Sequence, residues 1–360
     1  MIKANKGEWS EFYALVKILS EGKLFAADSA RNRIPEKYLE VLNIIREEFP
    51  GEKYIYEIAN DSNSVSIIKN GEQLSVIKAE KLKICALKIF DEIKNASSSS
   101  FVSNTAEELM NEMYCTRVKA SSYKKEDLIM TVKDRISPED TKLGFSVKSM
   151  LGGGSTLLNA SGHTNFIYLI KGGIPNIEEI NAIKTKSKIK DRINTIINNG
   201  VKLNFIETSS KKFESNLKMT DSIFPQMLSE VLLAYYQGKG KSVEDLVDVI
   251  EKEETLNNKL NITKTFFVHK MKEFLVAVAL GMVPSKIWEG NMQAYGGYII
   301  VKNDGDVVCY NVYNREEFKD YLYKNTYFDT PSSGRHEFGK IYESNGENFM
   351  NLNFQIRFKQ

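Results

Sequence analysis

The alternation of apolar and polar residues predicts a β-hairpin over residues 125–149, KEDLIMTVKDRISPEDTKLGFSVKS. Apolar side chains at every second position are typical of strands that bury one face. If Lys133 and Lys142 close the hairpin, Asp127 lies directly opposite Lys148. Cross-strand neighbours have Cβ atoms about 5 Å apart, so a carboxylate and an ammonium would meet at the open end. The opposite face is apolar and consists of Leu128, Met130, Val132, Leu143, Phe145 and Val147.

Periodicity and turn residues predict further helices and strands. A helix is expected to begin at Thr105, because Thr105 and Glu108 have the spacing of a capping box. Strands are expected on both sides of the Asn70-Gly71 turn and of the 303–306 turn. Together with the hairpin, these elements predict an α/β (α+β) fold with a mixed sheet. The other predicted helices cover 8–20, 81–95, 225–237, 242–253 and 264–281, and the other predicted strands cover 166–170 and 350–358.

Composition changes predict two boundaries along the chain. The stretch ASSSS at 96–100 is a low-complexity segment of the kind found in linkers. The second boundary follows residue 220, where a basic segment gives way to a run of predicted helices. We therefore divide the chain into an N-terminal α+β region (1–95), a core region (96–220) and a C-terminal α+β region (221–360).

Overall charge does not indicate a nucleic-acid partner. The 360 residues carry 49 Lys and Arg against 47 Asp and Glu, a net charge of +2, so any basic surface must be local. The 181–220 segment has nine Lys or Arg against three acids, which suits either phosphate contact or a solvated face. The three cysteines are far apart, as is usual in a reducing compartment. The sequence also lacks an apolar run long enough for a membrane span and a signal segment, so a cytoplasmic protein is predicted.

Asp127 and Lys148 fit the spacing of a phosphodiesterase signature, in which an acid is followed on the next strand by acid-x-Lys. Phosphodiester hydrolysis needs a hard cation, and Mg²⁺ prefers oxygen ligands. Asp127 and the backbone carbonyl of Val147 would bind the metal, and the Lys148 ammonium would orient the attacking water. Ser146 stands where the signature has its second acid and cannot supply that negative charge. The alternative is a surface ion pair between Asp127 and Lys148.

A second metal-binding carboxylate is expected on a neighbouring helix. Glu11 and Glu8 are the first candidates, and Glu108, on the helix before the hairpin, is a rival. For each of them the alternative is a solvated or capping carboxylate. Other chemistries lack their motifs, because the three histidines have no zinc-ligand spacing and neither G-x-S-x-G nor G-x-x-x-x-G-K-[ST] occurs.

Longer blocks of the sequence resemble the HpaII family of type II restriction endonucleases. In chain order they are KANKGEWSEFYALVKIL, LGFSVKSMLGGGSTLLNASGHTNFIY, GGYIIVKNDGDVVCYNVY, FDTPSSGRHEFGKIY and LNFQIRF, and they extend over nearly the whole chain. The resemblance implies a Mg²⁺-dependent enzyme of the PD-(D/E)xK superfamily that cuts double-stranded DNA at a short palindrome, CCGG in the name-giving member. Asp127, Ser146 and Lys148 then fall on the superfamily signature, in its serine variant.

The resemblance assigns sequence recognition to polar side chains outside the catalytic pair. The guanines of CCGG offer O6 and N7 acceptors, for which arginine is the usual bidentate partner. The candidate DNA-binding residues are Arg335, His336, Gln355, Arg357, Asn159 and Asn165. The alternative roles of these residues are loop structure and the exposed face of a strand. The 181–220 segment would contact the DNA backbone.

The sequence therefore predicts a site-specific Mg²⁺ endonuclease of a restriction-modification system, with 96–220 as the nuclease core and 221–360 as the DNA-recognition region. A palindromic site is met most simply by a homodimer. Two alternatives stay open. One is a structure-specific nuclease of the same superfamily, and the other, favoured by Ser146, is a DNA-binding protein without catalysis.

Overall fold

A computed structural model describes residues 1–118, 126–133, 139–173, 176–255, 258, 260–292 and 294–360. These residues fold into two compact units. The first unit comprises Met1–Ser155, Met292–Tyr321 and Gln360, and the second comprises Thr156–Asn291 and Leu322–Lys359. The functions assigned above to 1–95, 96–220 and 221–360 stay predictions. No helix in the described part of the chain is both long and apolar enough to cross a membrane.

The fold is mixed α+β, as predicted. The helices are α1 (Lys6–Glu21), α2 (Ala79–Asn95), α3 (Asn104–Glu112), α4 (Ile177–Ala182), α5 (Lys188–Asn198), α6 (Lys211–Thr220), α7 (Phe224–Gln237), α8 (Val243–Lys252), α9 (Lys264–Leu280), α10 (Arg315–Asn325) and α11 (Ser333–His336). The strands are β1 (Lys23–Ala27), β2 (Arg33–Phe49), β3 (Glu52–Ile58), β4 (Ser64–Lys69), β5 (Glu72–Lys78), β6 (Leu128–Val132), β7 (Thr141–Ser149), β8 (Thr156–Leu158), β9 (Phe166–Lys171), β10 (Lys202–Thr208), β11 (Gly297–Val301), β12 (Val307–Tyr310), β13 (Thr326–Asp329), β14 (Ile341–Ser344), β15 (Glu347–Leu352) and β16 (Gln355–Phe358).

The large sheet of the first unit has the strand order β1-β12-β11-β7-β6-β2-β3-β4-β5. β7 pairs in parallel with β11, and β1 pairs in parallel with β12, while β6 pairs antiparallel with both β7 and β2. The sheet is therefore mixed, as predicted. β1 also pairs with β2, which closes a ring of six strands that includes the hairpin strands β6 and β7. β11 and β12, expected in the C-terminal region, thus lie in the same sheet as the hairpin.

Helix α1 packs its apolar side on this sheet. The helix begins with a capping box, in which the Asn5 side chain accepts the Glu8 N–H and the Glu8 side chain accepts the Asn5 N–H. It ends at Gly22, which adopts the left-handed conformation with a φ of 65° that glycine tolerates best. Trp9 and Phe12 are fully buried in the core, so the predicted helical period is confirmed.

The predicted hairpin forms from β6 and β7, but its register is wrong. Leu128 pairs with Phe145, which places Asp127 opposite Ser146 rather than opposite Lys148. Hairpin register depends on turn geometry, which the apolar pattern does not specify, and residues 134–138 of the turn lie outside the described residues. Because the displacement is even, every residue stays on its predicted face. The apolar face is buried, as expected for Leu128, Met130, Val132, Leu143, Phe145 and Val147.

Three other predictions are corrected. The strand predicted over 350–358 is two strands, β15 and β16, which belong to different sheets. The helix predicted from Thr105 has Ser103 as its N-cap, and the Ser103 hydroxyl accepts the N–H of Ala106. The strand predicted over 166–170 forms as β9, but it pairs with β10 and β15 instead of joining the hairpin. In each case local sequence indicates an element but not its partner.

The second unit has two smaller sheets. One has the order β10-β9-β15-β14 and the other has the order β13-β16-β8. Helices α7 and α9 are predominantly apolar, and the rings of Phe224 and Phe274 lie 5.0 Å apart between them. These helices confirm the predictions for 225–237 and 264–281. Strand β16 carries Gln355 and Arg357, and the other four residues predicted to contact DNA lie outside the strands of this unit.

Candidate active site

The carboxylate of Asp127 is held at the open end of the hairpin by two hydrogen bonds from β7. Ser146 Oγ donates to Asp127 Oδ2 at 3.0 Å, and the Val147 N–H donates to the same oxygen at 2.7 Å. The Asp127 N–H donates to the carbonyl of Phe145 at 2.8 Å and extends the ladder. Both side-chain bonds use Oδ2, which leaves Oδ1 as the oxygen suited to a cation.

Ser146 therefore has a defined place in this geometry. Its side chain is buried and lies opposite Asp127 on the neighbouring strand. A second carboxylate at this position would repel Asp127 unless a cation lay between them. A hydroxyl instead donates a hydrogen bond to the carboxylate. The serine thus fixes the orientation of Asp127 but adds no charge.

Lys148 lies two residues beyond Ser146, on the same face of β7. Its Nζ is 5.3 Å from the centroid of the Tyr298 ring, within the range of a cation–π interaction. Tyr298 lies on β11, is 3% exposed and pairs with Ser146 in the parallel ladder. Burial raises the pKa of the Tyr298 phenol, and the charges of Tyr321 and Asp127 add to the shift. Tyr298 therefore stays neutral beneath the ammonium.

Helix α1 brings a glutamate into the same cavity as Lys148. Ser10 Oγ and Ser149 Oγ share a hydrogen bond of 2.7 Å, which joins α1 to β7. Glu11 follows Ser10 on the helix, Lys148 precedes Ser149 on the strand, and both line a cavity of about 880 Å³. We call it the hairpin cavity. The charged residues that line it are Lys6, Glu8, Glu11 and Lys148, and the Val147 backbone also contributes.

The three candidate glutamates occupy different environments. Glu8 lines the hairpin cavity but also closes the capping box, where its Oε2 accepts the Asn5 N–H at 2.9 Å. Glu11 is half-buried on the side of α1 that faces β7. Glu108 lines a separate cavity of about 450 Å³ beside Lys81 and Glu112, which form an ion pair at 2.6 Å. The structure thus brings Glu11 together with Lys148, and does not bring Glu108 there.

The oxygen donors around the hairpin cavity fit Mg²⁺. The Val147 N–H points past the end of β6 to Asp127, and a strand residue projects its N–H and C=O to the same side, so the carbonyl faces this region too. The Asp127 carboxylate accepts the N–H of Val147, and Val147 and Glu11 line the same cavity, so the candidate ligands are all oxygen atoms and include two carboxylates. Mg²⁺ typically takes one or two carboxylates and keeps several waters. No group of three His, Cys, Asp or Glu side chains that could hold a metal occurs among the described residues, so a metal bound here would have at most two such ligands.

Gln355 and Arg357 share one acidic partner in the second unit. They lie on the same face of β16, and Asp329 lies on the neighbouring strand β13. Gln355 Nε2 donates to Asp329 Oδ2 at 2.9 Å, and Arg357 Nη1 is 3.5 Å from the same oxygen. Both ends of the Arg357–Asp329 pair are about one-third exposed. The two predicted DNA-contacting side chains are therefore held together by an acid that a DNA strand would have to displace or avoid.

Asn165 has a structural role instead of the predicted contact with DNA. It is buried, its Nδ2 donates to the His336 carbonyl at 2.9 Å, and its Oδ1 accepts from Asn353 at 2.6 Å. Its amide therefore connects three segments and is not offered to a base. Asn159 and Arg335 are exposed, as their predicted contacts require, and His336 is partly exposed beside Arg335 on α11.

The basic 181–220 segment is not one uniform face. Arg192 is buried, and its Nη2 donates to the carbonyls of Asn181 and Ile183 at 2.8 Å each. Lys218 pairs with Glu214 at 2.6 Å, and Lys211 pairs with Glu207. Arg192 is therefore used inside the second unit, and the prediction of backbone contact is wrong for it. Lys211 and Lys218 are exposed, so phosphate contact stays a prediction for them.

Tyr298 and Asp329 were not singled out in the sequence. Tyr298 lies in a strand that the apolar pattern predicts, yet that pattern does not show that the strand neighbours β7. Asp329 lies in the same block as Arg335, FDTPSSGRHEFGKIY. A buried aromatic on a strand and an acid at a strand end are common, so neither gives a distinct signal. Only the pairing of β11 with β7 and of β13 with β16 gives these residues their positions.

Known proteins match this chain over nearly its full length. Residues 5–358 match the family described as HpaII restriction endonuclease. The chain is 40% identical over 359 residues to "Type II restriction enzyme HpaII" of Haemophilus parainfluenzae, and the match covers 98% of each chain. No solved structure matches it.

These matches define the class as type II restriction endonucleases, which are site-specific deoxyribonucleases that act on DNA and generally use divalent metal ions. The chain belongs to the HpaII restriction endonuclease family. The family resemblance and the enzyme class predicted from the sequence are confirmed.

Proposed function

We propose that this protein uses Mg²⁺ to hydrolyse phosphodiester bonds of double-stranded DNA at a short palindrome, CCGG as in the name-giving member. The hairpin cavity is the active site of a PD-(D/E)xK core in this proposal. The supporting observation is that Lys148 and Glu11 line one cavity, and that Val147, which also lines it, donates to the Asp127 carboxylate.

Each side chain then has a chemical task. Asp127, Glu11 and the Val147 carbonyl would hold Mg²⁺, which would stabilise negative charge on the phosphate and lower the pKa of water. Lys148, placed over the Tyr298 ring, donates a hydrogen bond to the attacking water and fixes its position. The Ser146 hydroxyl and the Val147 N–H keep the Asp127 carboxylate oriented before substrate arrives. Such preorganisation lowers the cost of reaching the transition state.

A homodimer in the cytoplasm completes the proposal. A palindrome is two-fold symmetric, so two copies would present one hairpin cavity to each strand. Arg335, His336, Gln355 and Arg357 remain the candidates for base recognition, with Asn159 as a further contact. The cytoplasm is where a restriction-modification system meets incoming DNA.

The test is digestion of a plasmid by the purified protein with Mg²⁺ or with a chelator, followed by sequencing of the ends. Defined ends at CCGG that require Mg²⁺ are expected. Lys148→Ala protein prepared in parallel is the control for a contaminating nuclease. Cutting only at junctions or flaps would favour a structure-specific nuclease, and binding without cutting would favour a non-catalytic DNA-binding protein.

A further inference from the structure

A second cavity, of about 670 Å³, lies within the second unit. Four lysines contribute to its walls, and none of the described residues that line it is acidic. We call it the lysine cavity and define it by Lys186, Lys188, Lys190 and Lys241. Pockets for small organic ligands are mostly apolar with a few polar groups. This cavity also has apolar and aromatic lining residues, but its four cations without a lining acid favour an anionic ligand.

Two of these lysines have defined neighbours. Lys241 Nζ lies 4.3 Å from the centroid of the Tyr327 ring, and the Lys241 carbonyl accepts the N–H of Phe328 at 2.9 Å. Lys190 lies against Gly238, where a Cβ would collide with its Nζ. The acid nearest to them in sequence, Asp191, accepts a hydrogen bond from the Thr185 hydroxyl.

The start of α5 adds to the positive potential of the same wall. The helix begins at Lys188, and its N-cap residue Ser187 makes no side-chain capping bond. The first N–H groups of a helix and the positive end of its dipole favour an anion at such a position. Lys211 and Lys218, from the same basic segment, differ because they pair with glutamates outside the cavity.

We propose that the lysine cavity binds a phosphate of the DNA backbone and thereby sets the position of the duplex on the second unit. The proposal rests on the proposed function. Ser333 and Gly334 line the cavity, and Arg335, the candidate base-reading residue, directly follows them in the sequence. Phosphate contacts fix register, and base contacts specify sequence. A strand held at the cavity would therefore bring base edges to Arg335.

Two triple variants of the full chain test the proposal. K186A/K190A/K241A removes three exposed charges from the cavity, and the control K202A/K212A/K218A removes three exposed charges of the second unit outside it. Binding to a CCGG duplex and to a scrambled duplex is measured by fluorescence anisotropy without Mg²⁺, from low to moderate salt. For the cavity variant we expect the magnitude of the slope of log K against log salt to fall by about 1, as for one lost phosphate contact, with roughly tenfold weaker binding to both duplexes. The control should change little, and K186R/K190R/K241R should bind as wild type.

If the salt dependence of DNA binding fell equally in the cavity variant and in the control variant, the proposal would be overturned. The lysines would then contribute only to the general positive charge of the surface. The same chemistry could serve free phosphate, which is tested by calorimetric titration with inorganic phosphate at constant ionic strength. If K186A/K190A/K241A lost phosphate binding while the salt dependence of its DNA binding stayed as in wild type, the proposal would also be overturned. Wild-type protein that neither binds nor cuts duplex would refute the proposed function instead. If the wild-type protein bound and cut duplex DNA, and the cavity variant kept the wild-type salt dependence of binding, only this inference would be refuted.

Discussion

The hairpin cavity and the lysine cavity differ in the sign of the charges that they present. Glu8 and Glu11 line the first together with Lys148, and a buried ring and two hydrogen bonds fix its central groups. The lysine cavity presents four lysines, and none of the described residues that line it is acidic. Opposite charges at fixed positions suit the placement of a metal and a water, whereas charges of one sign suit a polyanion of any sequence. Cleavage and binding should therefore be separable by mutation.

The largest expected effect is that of Lys148→Ala. Loss of a group that positions the attacking water should lower the single-turnover cleavage rate by roughly 10²- to 10⁴-fold. The Kd for a CCGG duplex without Mg²⁺ should stay within about twofold, because charge lost at one reacting position changes few phosphate contacts. Quench-flow kinetics and anisotropy measure the two quantities.

Lys6→Ala is the matched control for that variant. Lys6 also lines the hairpin cavity, but its Nζ donates to the Lys94 carbonyl at 3.1 Å. Its loss should leave cleavage nearly unchanged. If Lys148→Ala weakened binding as much as cleavage, or if Lys6→Ala were equally inactive, the hairpin cavity would act as a general anion site and the contrast between the two cavities would fail.

Glu11→Gln should have the next largest effect on cleavage. Replacing one metal-binding carboxylate by a neutral amide should reduce activity roughly 10- to 100-fold and raise the Mg²⁺ concentration needed for half-maximal rate. A Mg²⁺ titration of the cleavage rate measures both. The lysine cavity should be unaffected, so the salt slope of DNA binding should not change.

Two further glutamates serve as controls for Glu11. Glu8→Gln weakens the capping box and should destabilise the protein by about 1 kcal/mol, read as a lower Tm, with the Mg²⁺ dependence retained. Glu108→Gln alters a different cavity and should leave the Mg²⁺ dependence as it is in wild type. If the Mg²⁺ dependence shifted in Glu108→Gln but not in Glu11→Gln, Glu108 rather than Glu11 would be the metal-binding carboxylate.

Tyr298→Leu should have a smaller effect, of roughly tenfold on cleavage. The variant removes the ring beneath the Lys148 ammonium, an interaction of about 0.5–2 kcal/mol. Tyr298→Phe keeps the ring and should restore the rate. If Tyr298 positions Lys148, kcat should fall in Tyr298→Leu, while its KM and Tm should stay close to those of Tyr298→Phe. A parallel loss of Tm and rate in both variants would indicate packing alone.

The sequence predicts the faces of the hairpin but not its register. Apolar alternation decides which side of a strand is buried, so Leu128 and Phe145 are assigned correctly. Register depends on the turn, and the expected partner of Asp127 was wrong by two residues. The consequence for the site is direct, because Ser146, read as a missing acid, donates a hydrogen bond to the Asp127 carboxylate.

Contacts between residues far apart in the chain are the second feature that the sequence pattern does not predict. Charge and polarity mark Arg192 and Asn165 as surface residues, yet both are buried where distant carbonyls and amides meet them. Tyr298 gains its role from a parallel pairing that joins two segments separated by most of the second unit. Local pattern gives elements and faces, while long-range pairing decides which polar groups are used for structure. The helix that carries Glu11 was predicted correctly because its apolar residues recur at helical spacing, and the metal-binding role of Glu11 stays a prediction.

The smallest expected effect belongs to Ser146→Ala. The variant removes one hydrogen bond to Asp127 Oδ2 but keeps the bond from the Val147 N–H, so cleavage should fall only about two- to tenfold. Ser146→Thr keeps the hydroxyl on a strand that accepts β-branched residues, and it should cut at nearly the wild-type rate. Single-turnover rates at saturating Mg²⁺ compare the two. A loss in Ser146→Ala as large as that in Lys148→Ala would mean that the hydroxyl contacts the reacting groups, because the loss of one of two orienting hydrogen bonds cannot account for so large an effect.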